Sequence, residues 1–175
     1  MTQHRGQVFS YDLVFALMAV SFLLWYILNA SNALAERVDY VEKENRMSEV
    51  AQSALDQLTE TPGNPSDWRT LEAKSLGLAE SRGVLDSGKV GQLVSLSSAP
   101  EGYDRVRAML SMNRQGGAFL FNLKVIEAEG RESYSLGPKE PEGASVAASS
   151  RTMVMDRRIV RVVLKAWGIE WGAGG

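Results

Sequence analysis

The stretch LVFALMAVSFLLWYIL, Leu13 to Leu28, decides the fold, because these sixteen residues carry no charge and only Ser21 interrupts the apolar run. It contains neither Gly nor Pro, so it predicts a continuous helix. At about 1.5 Å per residue the run covers roughly 24 Å, slightly less than a hydrocarbon core of about 30 Å. Extended back to Val8 it is long enough to cross a membrane. The extension takes in Asp12, a carboxylate that needs a reason in a membrane segment.

Composition excludes several classes of function. The 175 residues suit one small domain plus an appendage, and Lys+Arg 19 against Asp+Glu 21 argues against a nucleic-acid partner. Cys 0 and a single histidine, His4, remove disulfides, thiolate metal sites, cysteine nucleophiles, the Ser-His-Asp triad and multi-histidine metal sites. We therefore expect no enzyme activity, no metal and no cofactor.

Two general interpretations fit an apolar run near the N-terminus. One is a signal anchor, a single membrane helix that holds a domain outside the cell. The other is a removable secretory signal, because Ala33-Leu34-Ala35 before Glu36 has the small-x-small form of a signal-peptidase site. For that signal the apolar region is slightly long, and Asp12 lies at its start.

A third interpretation comes from the residues HRGQVFSYDL, His4 to Leu13, which precede the apolar run. This segment resembles the class III signal peptide of archaeal type IV pilins and pilin-like proteins. The resemblance covers about the first thirty residues and implies that a prepilin peptidase removes a leader, 1–6, on the cytoplasmic side. Arg5 would be the basic residue of the leader, Gly6 the small residue before the cut, and Gln7 the mature N-terminus. The apolar helix would stay on the chain.

Asp12 departs slightly from that family's pattern, which places an acid around the fifth mature position, because Asp12 would be the sixth. Positions five apart do not face each other on one helix. Across two packed helices staggered by about that many residues, the Gln7 amine of one chain can neutralise the Asp12 carboxylate of another. Asp12 therefore has two possible roles. It either fixes the register in which neighbouring helices assemble, or it is a helix-start residue that the helix dipole stabilises by up to about 1 kcal/mol.

The charges around the apolar run give conflicting orientations. Arg5 precedes the run and Arg37, Lys43 and Arg46 follow it, so the positive-inside count favours an outside N-terminus. The leader resemblance implies the reverse. We follow the leader, because the three basic residues alternate with acidic ones in a helix that continues outward. The expected location is the cell membrane, crossed once, with the head domain outside.

Residues 31–60 contain no Gly or Pro, and their apolar positions recur at spacings of three and four. This pattern predicts an amphipathic helix that continues directly from the apolar one. The apolar stripe changes phase between Val41 and Met47, which predicts packing onto a following small sheet rather than a long coiled coil. Thr61 to Pro65, with two prolines and a glycine, ends the helix. Trp68, just beyond, is expected in the core.

The remaining chain predicts short elements. Two short helices are expected, at Ser87 to Leu96 and at Tyr103 to Met112. A half-buried strand is expected at Phe119 to Val125, with Tyr134 to Leu136 as a candidate partner. A mobile loop at Gly137 to Ser150 then leads to a terminal hairpin of Arg151 to Met155 and Arg158 to Trp167. In the hairpin, Val160, Val162, Leu164 and Ala166 are expected to face inward. The predicted fold is α+β: a long N-terminal helix, membrane half then amphipathic half, with a small antiparallel β-sheet head domain, which is pilin-like.

Several motifs have both a functional and a purely structural interpretation. Gly88-Lys89-Val90 lacks the spacing and the Ser or Thr of a phosphate loop. The basic residues of the terminal hairpin alternate with apolar ones, as on the solvated face of a sheet, and we assign that role to Arg151, Arg157, Arg158, Arg161 and Lys165. Two acidic pairs are interpreted as solvated loop residues, namely Glu127 with Glu129 and Glu140 with Glu142.

The far end of the apolar run carries two further candidates. Asn29-Ala30-Ser31 fits the N-glycosylation acceptor pattern, so Asn29 is a possible glycosylation site if this end lies outside the cell. Trp25 and Tyr26 are expected as anchors at the membrane interface.

A second, weaker resemblance joins Asp67 to Gly88 and the terminal hairpin to the outer domains of uncharacterised pilin-like proteins from archaea such as methanogens. It names no activity. Together the resemblances imply a structural subunit, a major or minor pilin, of an archaeal type IV pilus-like surface filament. They leave open whether the filament serves cell adhesion, uptake or motility. Its partners would be membrane lipid, other pilin-like subunits and the prepilin peptidase. The alternative is a single-pass membrane-anchored protein with an extracellular binding domain. The expected organisation is a leader at 1–6, an assembly helix at 7–30, an amphipathic helix at 31–60 and a head domain at 61–175.

Overall fold

The computed structural model describes residues 4–70, 73–113 and 118–168, without the side chains of residues 4–10, 33, 35, 36 and 39. The chain forms two compact units, Met1–Lys43 and Glu44–Gly175. We call the second one the head unit. The resembling segment from Asp67 to Gly88 includes Leu71 and Glu72, which lie outside the described residues.

One helix, α1, runs from His4 to Glu60. The absence of Gly and Pro after Gly6 allows this length, and the predicted break follows at once, with Gly63 at φ +85°. The last carbonyls of a helix lack intrahelical partners. Here the Leu58 carbonyl accepts from the Leu78 amide at 2.7 Å, and the Thr61 carbonyl just beyond the helix accepts from the Ala79 amide at 3.1 Å. The chain that follows α1 is thus fastened to the end of the helix.

The other elements belong to the head unit. In chain order they are β1 (Ala79–Ser81), β2 (Val84–Leu85), α2 (Ser87–Ser97), α3 (Gly102–Met109), β3 (Phe119–Glu127), β4 (Glu132–Leu136), β5 (Val146–Met155) and β6 (Arg158–Gly168). The predicted α+β class with a long N-terminal helix is confirmed. The two predicted helices are present, although α3 is shorter than expected because Ser111 adopts a left-handed φ of 59°. The pairing of β3 with β4 is confirmed as well.

The sheet corrects the prediction in two respects. Its six strands lie in the order β1-β2-β5-β6-β3-β4, and the sheet is curled and mixed, because β2 runs parallel to β5. The expected purely antiparallel sheet is therefore wrong. The predicted loop from Gly137 to Ser150 is also wrong in its second half, since β5 begins at Val146 and pairs with the end of β6. The small side chains there favour a loop locally, but a ten-residue ladder with β6 overrides that preference.

The core of the head unit lies between the second half of α1 and the sheet. Met47, Ala51, Leu55 and Leu58 join one buried cluster with side chains of β3, β5 and β6. The predicted packing of this helix onto a small sheet is therefore confirmed. The inward positions of the terminal hairpin, from Val160 to Ala166, are buried as expected. Trp68 is buried too, and its indole Nε1 donates to the Gly77 carbonyl at 2.8 Å.

Tyr103 of α3 completes the edge of β3 where β4 does not reach. The Tyr103 hydroxyl accepts from the Phe121 amide at 2.8 Å and donates to the Phe121 carbonyl at 2.7 Å. The two rings stack with centroids 5.2 Å apart. Burial raises the pKa of the Tyr103 hydroxyl, so this donor stays protonated at neutral pH. One side chain thus supplies both partners that a neighbouring strand would provide.

Tyr103→Phe should therefore destabilise the head unit by about 1 to 3 kcal/mol, because the Phe121 amide and carbonyl would lose their partners in a partly buried place. Thermal unfolding of the full chain in detergent measures this. Tyr134→Phe is the matched control, since the half-buried Tyr134 packs on the same core. An equal loss in both variants would contradict the special role of Tyr103.

Candidate functional site

The first candidate site is the apolar half of α1. Tyr11–Asn32 is 22 residues long with a mean hydropathy of 2.1, and none of it is buried in the protein. At about 1.5 Å per residue it measures about 33 Å, which matches a hydrocarbon core of about 30 Å. By length and composition this helix is apolar enough to span a membrane, which is consistent with membrane anchoring. A secretory signal near the N-terminus would meet the same criterion.

Such a surface cannot stay in water. Leu13, Phe15, Phe22 and Leu28 are each more than 60% exposed. Burying a side chain of this kind is worth about 1.5 to 3 kcal/mol. Lipid or other protein chains must therefore cover this half of α1.

The predicted processing residues lie at the start of α1. Arg5, Gly6 and Gln7 are in its first two turns, with their side chains outside the described set, and residues 1–3 of the predicted leader are also outside it. Asp12 is the second residue of the span and is exposed. The five-residue step from Gln7 to Asp12 is about 7.5 Å along the axis and about 140° around it, so the two lie on different faces. A pairing between them requires two chains, and it stays a prediction.

The other end of the span carries Trp25, Tyr26 and Asn29. The rings of Phe22 and Trp25 approach with centroids 5.8 Å apart, and both Trp25 and Tyr26 are exposed. The Asn29 side-chain amide donates to the Trp25 carbonyl at 2.9 Å, one helical turn back. Glycosylation of Asn29 and the interfacial role of the two aromatic residues stay predictions.

One member of each acidic pair noted in the sequence, Glu127 and Glu140, contacts a cation, whereas Glu129 and Glu142 are exposed as predicted. Glu127 is only 14% exposed, accepts from Ser133 at 2.6 Å, and has the Arg131 guanidinium at 2.8 Å. The Ser133 hydrogen bond, followed by the Arg131 contact, lowers the pKa of Glu127. The interpretation of Glu127 as a solvated loop residue is therefore wrong.

Two further carboxylates are held in the same way. Glu132 contacts the Lys124 ammonium at 2.7 Å, and Glu140 contacts the Lys165 ammonium. These hydrogen bonds lower the pKa of both carboxyl groups. A general acid needs a raised pKa, and these contacts act in the opposite sense. Their arrangement supports the fold of the sheet rather than proton transfer.

The basic residues of the terminal hairpin do not form one set. Arg157 and Arg161 are exposed, as predicted for a solvated face. Arg151 instead lies on the side of β5 that faces α1. Its guanidinium contacts Asp56 at 2.6 Å, Glu60 at 2.6 Å and the Thr59 hydroxyl at 3.2 Å. The interpretation of Arg151 as a solvated residue is wrong, because two acidic side chains one helical turn apart draw it to the helix.

Two adjoining clefts open beside the end of α1. One has a volume of about 570 Å³ and includes Glu60, Arg82 and Arg151 in its walls. The other is about 400 Å³ and includes Arg69 and Lys89. They share the wall formed by Pro62, Ala79 and Glu80. The mixture of charges suits a polar ligand.

Lys89 in this cleft does not form a phosphate loop. Its backbone amide donates to the Asp86 carboxylate at 3.1 Å, and its ammonium donates to the Pro62 carbonyl at 2.9 Å. Within 4–70, 73–113 and 118–168, no three His, Cys, Asp or Glu side chains come together as metal ligands.

Arg151→Met should destabilise the head unit by about 1 to 2 kcal/mol, because Asp56 and Glu60 would lose their shared cation and repel each other. Arg161→Met is the matched control, an exposed arginine on the next strand. Thermal unfolding of the two variants in low salt provides the comparison. A control that unfolds as early as Arg151→Met would show that the contacts with α1 contribute nothing.

Comparison of the chain with protein-family models, with curated proteins and with solved structures gave no match.

Proposed function

We propose that this chain is a structural subunit, a major or minor pilin, of an archaeal type IV pilus-like surface filament. It is inserted as a precursor, cut between Gly6 and Gln7, and held by the apolar half of α1. The head unit then lies outside the cell. The observation that carries the proposal is an apolar span of α1, Tyr11–Asn32, with no buried residue, which begins four residues after Gln7 of the Arg-Gly-Gln sequence.

The continuity of α1 supports retention of the apolar helix. A cut before Glu36 would fall inside an unbroken helix that runs from His4 to Glu60. A cut after Gly6 removes only the first turn, where backbone amides have no intrahelical acceptors in any case. The processed chain keeps both the apolar half of α1 and the half that builds the core of the head unit.

Packing of apolar helices against one another supports assembly. Helices in an apolar surrounding associate through close packing and a few polar contacts rather than through the hydrophobic effect. Asp12 is a carboxylate on the exposed span, and a carboxylate there is stabilised when a cation from a neighbouring chain approaches it. The Gln7 amine of a processed neighbour is that cation in this proposal, and Asp12 sets the register.

The second candidate function is a single-pass membrane-anchored protein whose outer domain binds a ligand. The clefts beside Pro62 favour it, because their mixed charges suit a polar ligand. In this case the leader is not removed and Asp12 is a helix-start residue. The N-terminus of the mature chain separates the two candidates.

We expect that protein from membranes of a host with the prepilin peptidase begins at Gln7, measured by intact mass and N-terminal peptide sequencing. Gly6→Val should keep residues 1–6, because a branched side chain replaces the small residue before the cut. His4→Ala is the matched control within the leader and should still be processed. Filaments sheared from the cells should contain the processed form.

A wild-type chain that still begins at Met1 or Thr2 would favour the anchored protein. One that begins at Glu36 would favour a secreted head. Processing of Gly6→Val at the same rate as wild type would contradict recognition of the Gly6–Gln7 bond.

A further inference from the structure

A short apolar stripe continues on α1 beyond the span. Leu34, Val38 and Val41 are 62%, 61% and 53% exposed. Their spacing of four and three residues places them on one face of the helix. We call these three residues the juxtamembrane stripe. The roughly opposite face carries Tyr40 and Lys43.

Lipid does not reach most of this stripe. Val38 and Val41 lie six and nine residues beyond Asn32, the last residue of the span, which is about 9 and 14 Å along the helix. The headgroup layer adds only about 5 to 8 Å on each side of the hydrocarbon core. Contact with water costs free energy in proportion to the apolar area exposed. A protein surface is therefore the expected cover.

The same face is apolar inside the span. Leu23, Ile27 and Ala30 precede Leu34 at spacings of four, three and four residues, so they lie in line with the juxtamembrane stripe. The opposite face of the helix becomes polar near the end of the span, where Asn29 and Asn32 follow the aromatic residues Phe22 and Trp25. One partner that covers the stripe on both sides of Asn32 must run alongside α1, and a second helix has that shape.

Charges beside the stripe identify which helix. Arg37 immediately precedes Val38 and Glu42 immediately follows Val41, and both side chains are exposed. In two parallel helices joined by such a stripe, residues at these flanking positions meet across the interface when they differ by five in number. Arg37 and Glu42 have that difference and opposite charges. In an antiparallel pair, Arg37 would instead face Arg37 of the other helix and Glu42 would face Glu42, so like charges would repel.

We propose that the juxtamembrane stripe is the docking surface for α1 of a second copy of this chain, arranged in parallel. Arg37 of each copy forms an ion pair with Glu42 of the other. A helix that enters the membrane from the N-terminus has the same direction in every copy, so the parallel arrangement follows from insertion alone. The contact is short because from Met47 onward α1 faces the core of its own head unit.

This pairing goes beyond the proposed function, because a reciprocal contact joins two chains into a closed pair and does not by itself extend a filament. It does not depend on removal of the leader. The same contact would form between uncleaved precursors in a membrane. The pairing and the filament proposal can therefore fail separately.

Because the chain has no cysteine, single cysteines report on the contact directly. Val38→Cys in native-host membranes should form a disulfide-linked dimer on mild oxidation, with twice the mass of the single chain recovered from the same membranes. Tyr40→Cys is the matched control, because Tyr40 is similarly exposed at 57% but lies on the other side of the helix. It should remain monomeric under the same conditions.

Charge reversal tests the ion pair and the parallel arrangement. In the Val38→Cys background, Arg37→Glu or Glu42→Arg alone should lower the rate of crosslinking about two- to fivefold, as expected for exposed ion pairs. The two reversals together should restore it. Recovery of the crosslinking rate in the double variant requires that Arg37 of one chain contacts Glu42 of the other. If either change only disturbed the structure, the double variant would not recover the rate.

Three results would overturn the proposal. They are equal crosslinking at Val38 and Tyr40, no dimer from a Val38→Cys protein whose head unit melts as wild type, and a crosslinked product whose mass identifies a different protein. Crosslinking in a host without the prepilin peptidase distinguishes the two proposals. A dimer there together with failure to process in the native host would contradict the filament alone, and processed filaments without the dimer would contradict the pairing alone.

Discussion

The constraint on which the rest of this protein depends is its apolar span, because none of the described residues from Tyr11 to Asn32 is buried. Tyr11–Asn32 is apolar and fully exposed, and an exposed apolar surface of that size is compatible only with lipid or with other chains around it. Because α1 continues without a break to Glu60, the same helix also supplies the core of the head unit. The proposed anchoring and association therefore involve the same helix that builds the core of the head unit.

The head unit is organised around the second half of that helix. The sheet curls over the helix, with Arg151 bound to Asp56 and Glu60 and with the Tyr103 hydroxyl completing the edge of β3. The carboxylates with shifted pKa values are held by cations and hydroxyls in their charged form. These interactions stabilise a scaffold, and the mixed-charge clefts beside Pro62 lie on its surface at the end of α1.

Much of the fold could be predicted because its signals are local. An uncharged run from Leu13 to Leu28, two prolines after Thr61 and the alternation from Val160 to Ala166 each specify one element within a short window. The strands β1 and β2 have only three and two residues, which is too short for a pattern. The parallel pairing of β2 with β5 joins segments about seventy residues apart, and no local preference indicates it.

The candidate site could be predicted only in part, for the same reason. The apolar span is a local property of the sequence. The partner of Arg151 is not, since Asp56 is more than ninety residues away along the chain. The sequence placed Arg151 with its exposed neighbours because alternation alone cannot distinguish a cation that faces water from one that faces a helix. The roles proposed for Gly6 and Asp12 would depend on a peptidase and on neighbouring chains, so one chain by itself does not determine them.

The most direct test of the central claim is cysteine labelling of intact native-host cells with a membrane-impermeant maleimide. Phe22→Cys places a thiol in the middle of the span, and Ser81→Cys places one on the exposed surface of the head unit. We expect Ser81→Cys to react in intact cells and Phe22→Cys to react only after denaturation. Reaction of Phe22→Cys in intact cells, or of Ser81→Cys only after lysis, would contradict a spanning helix with an external head.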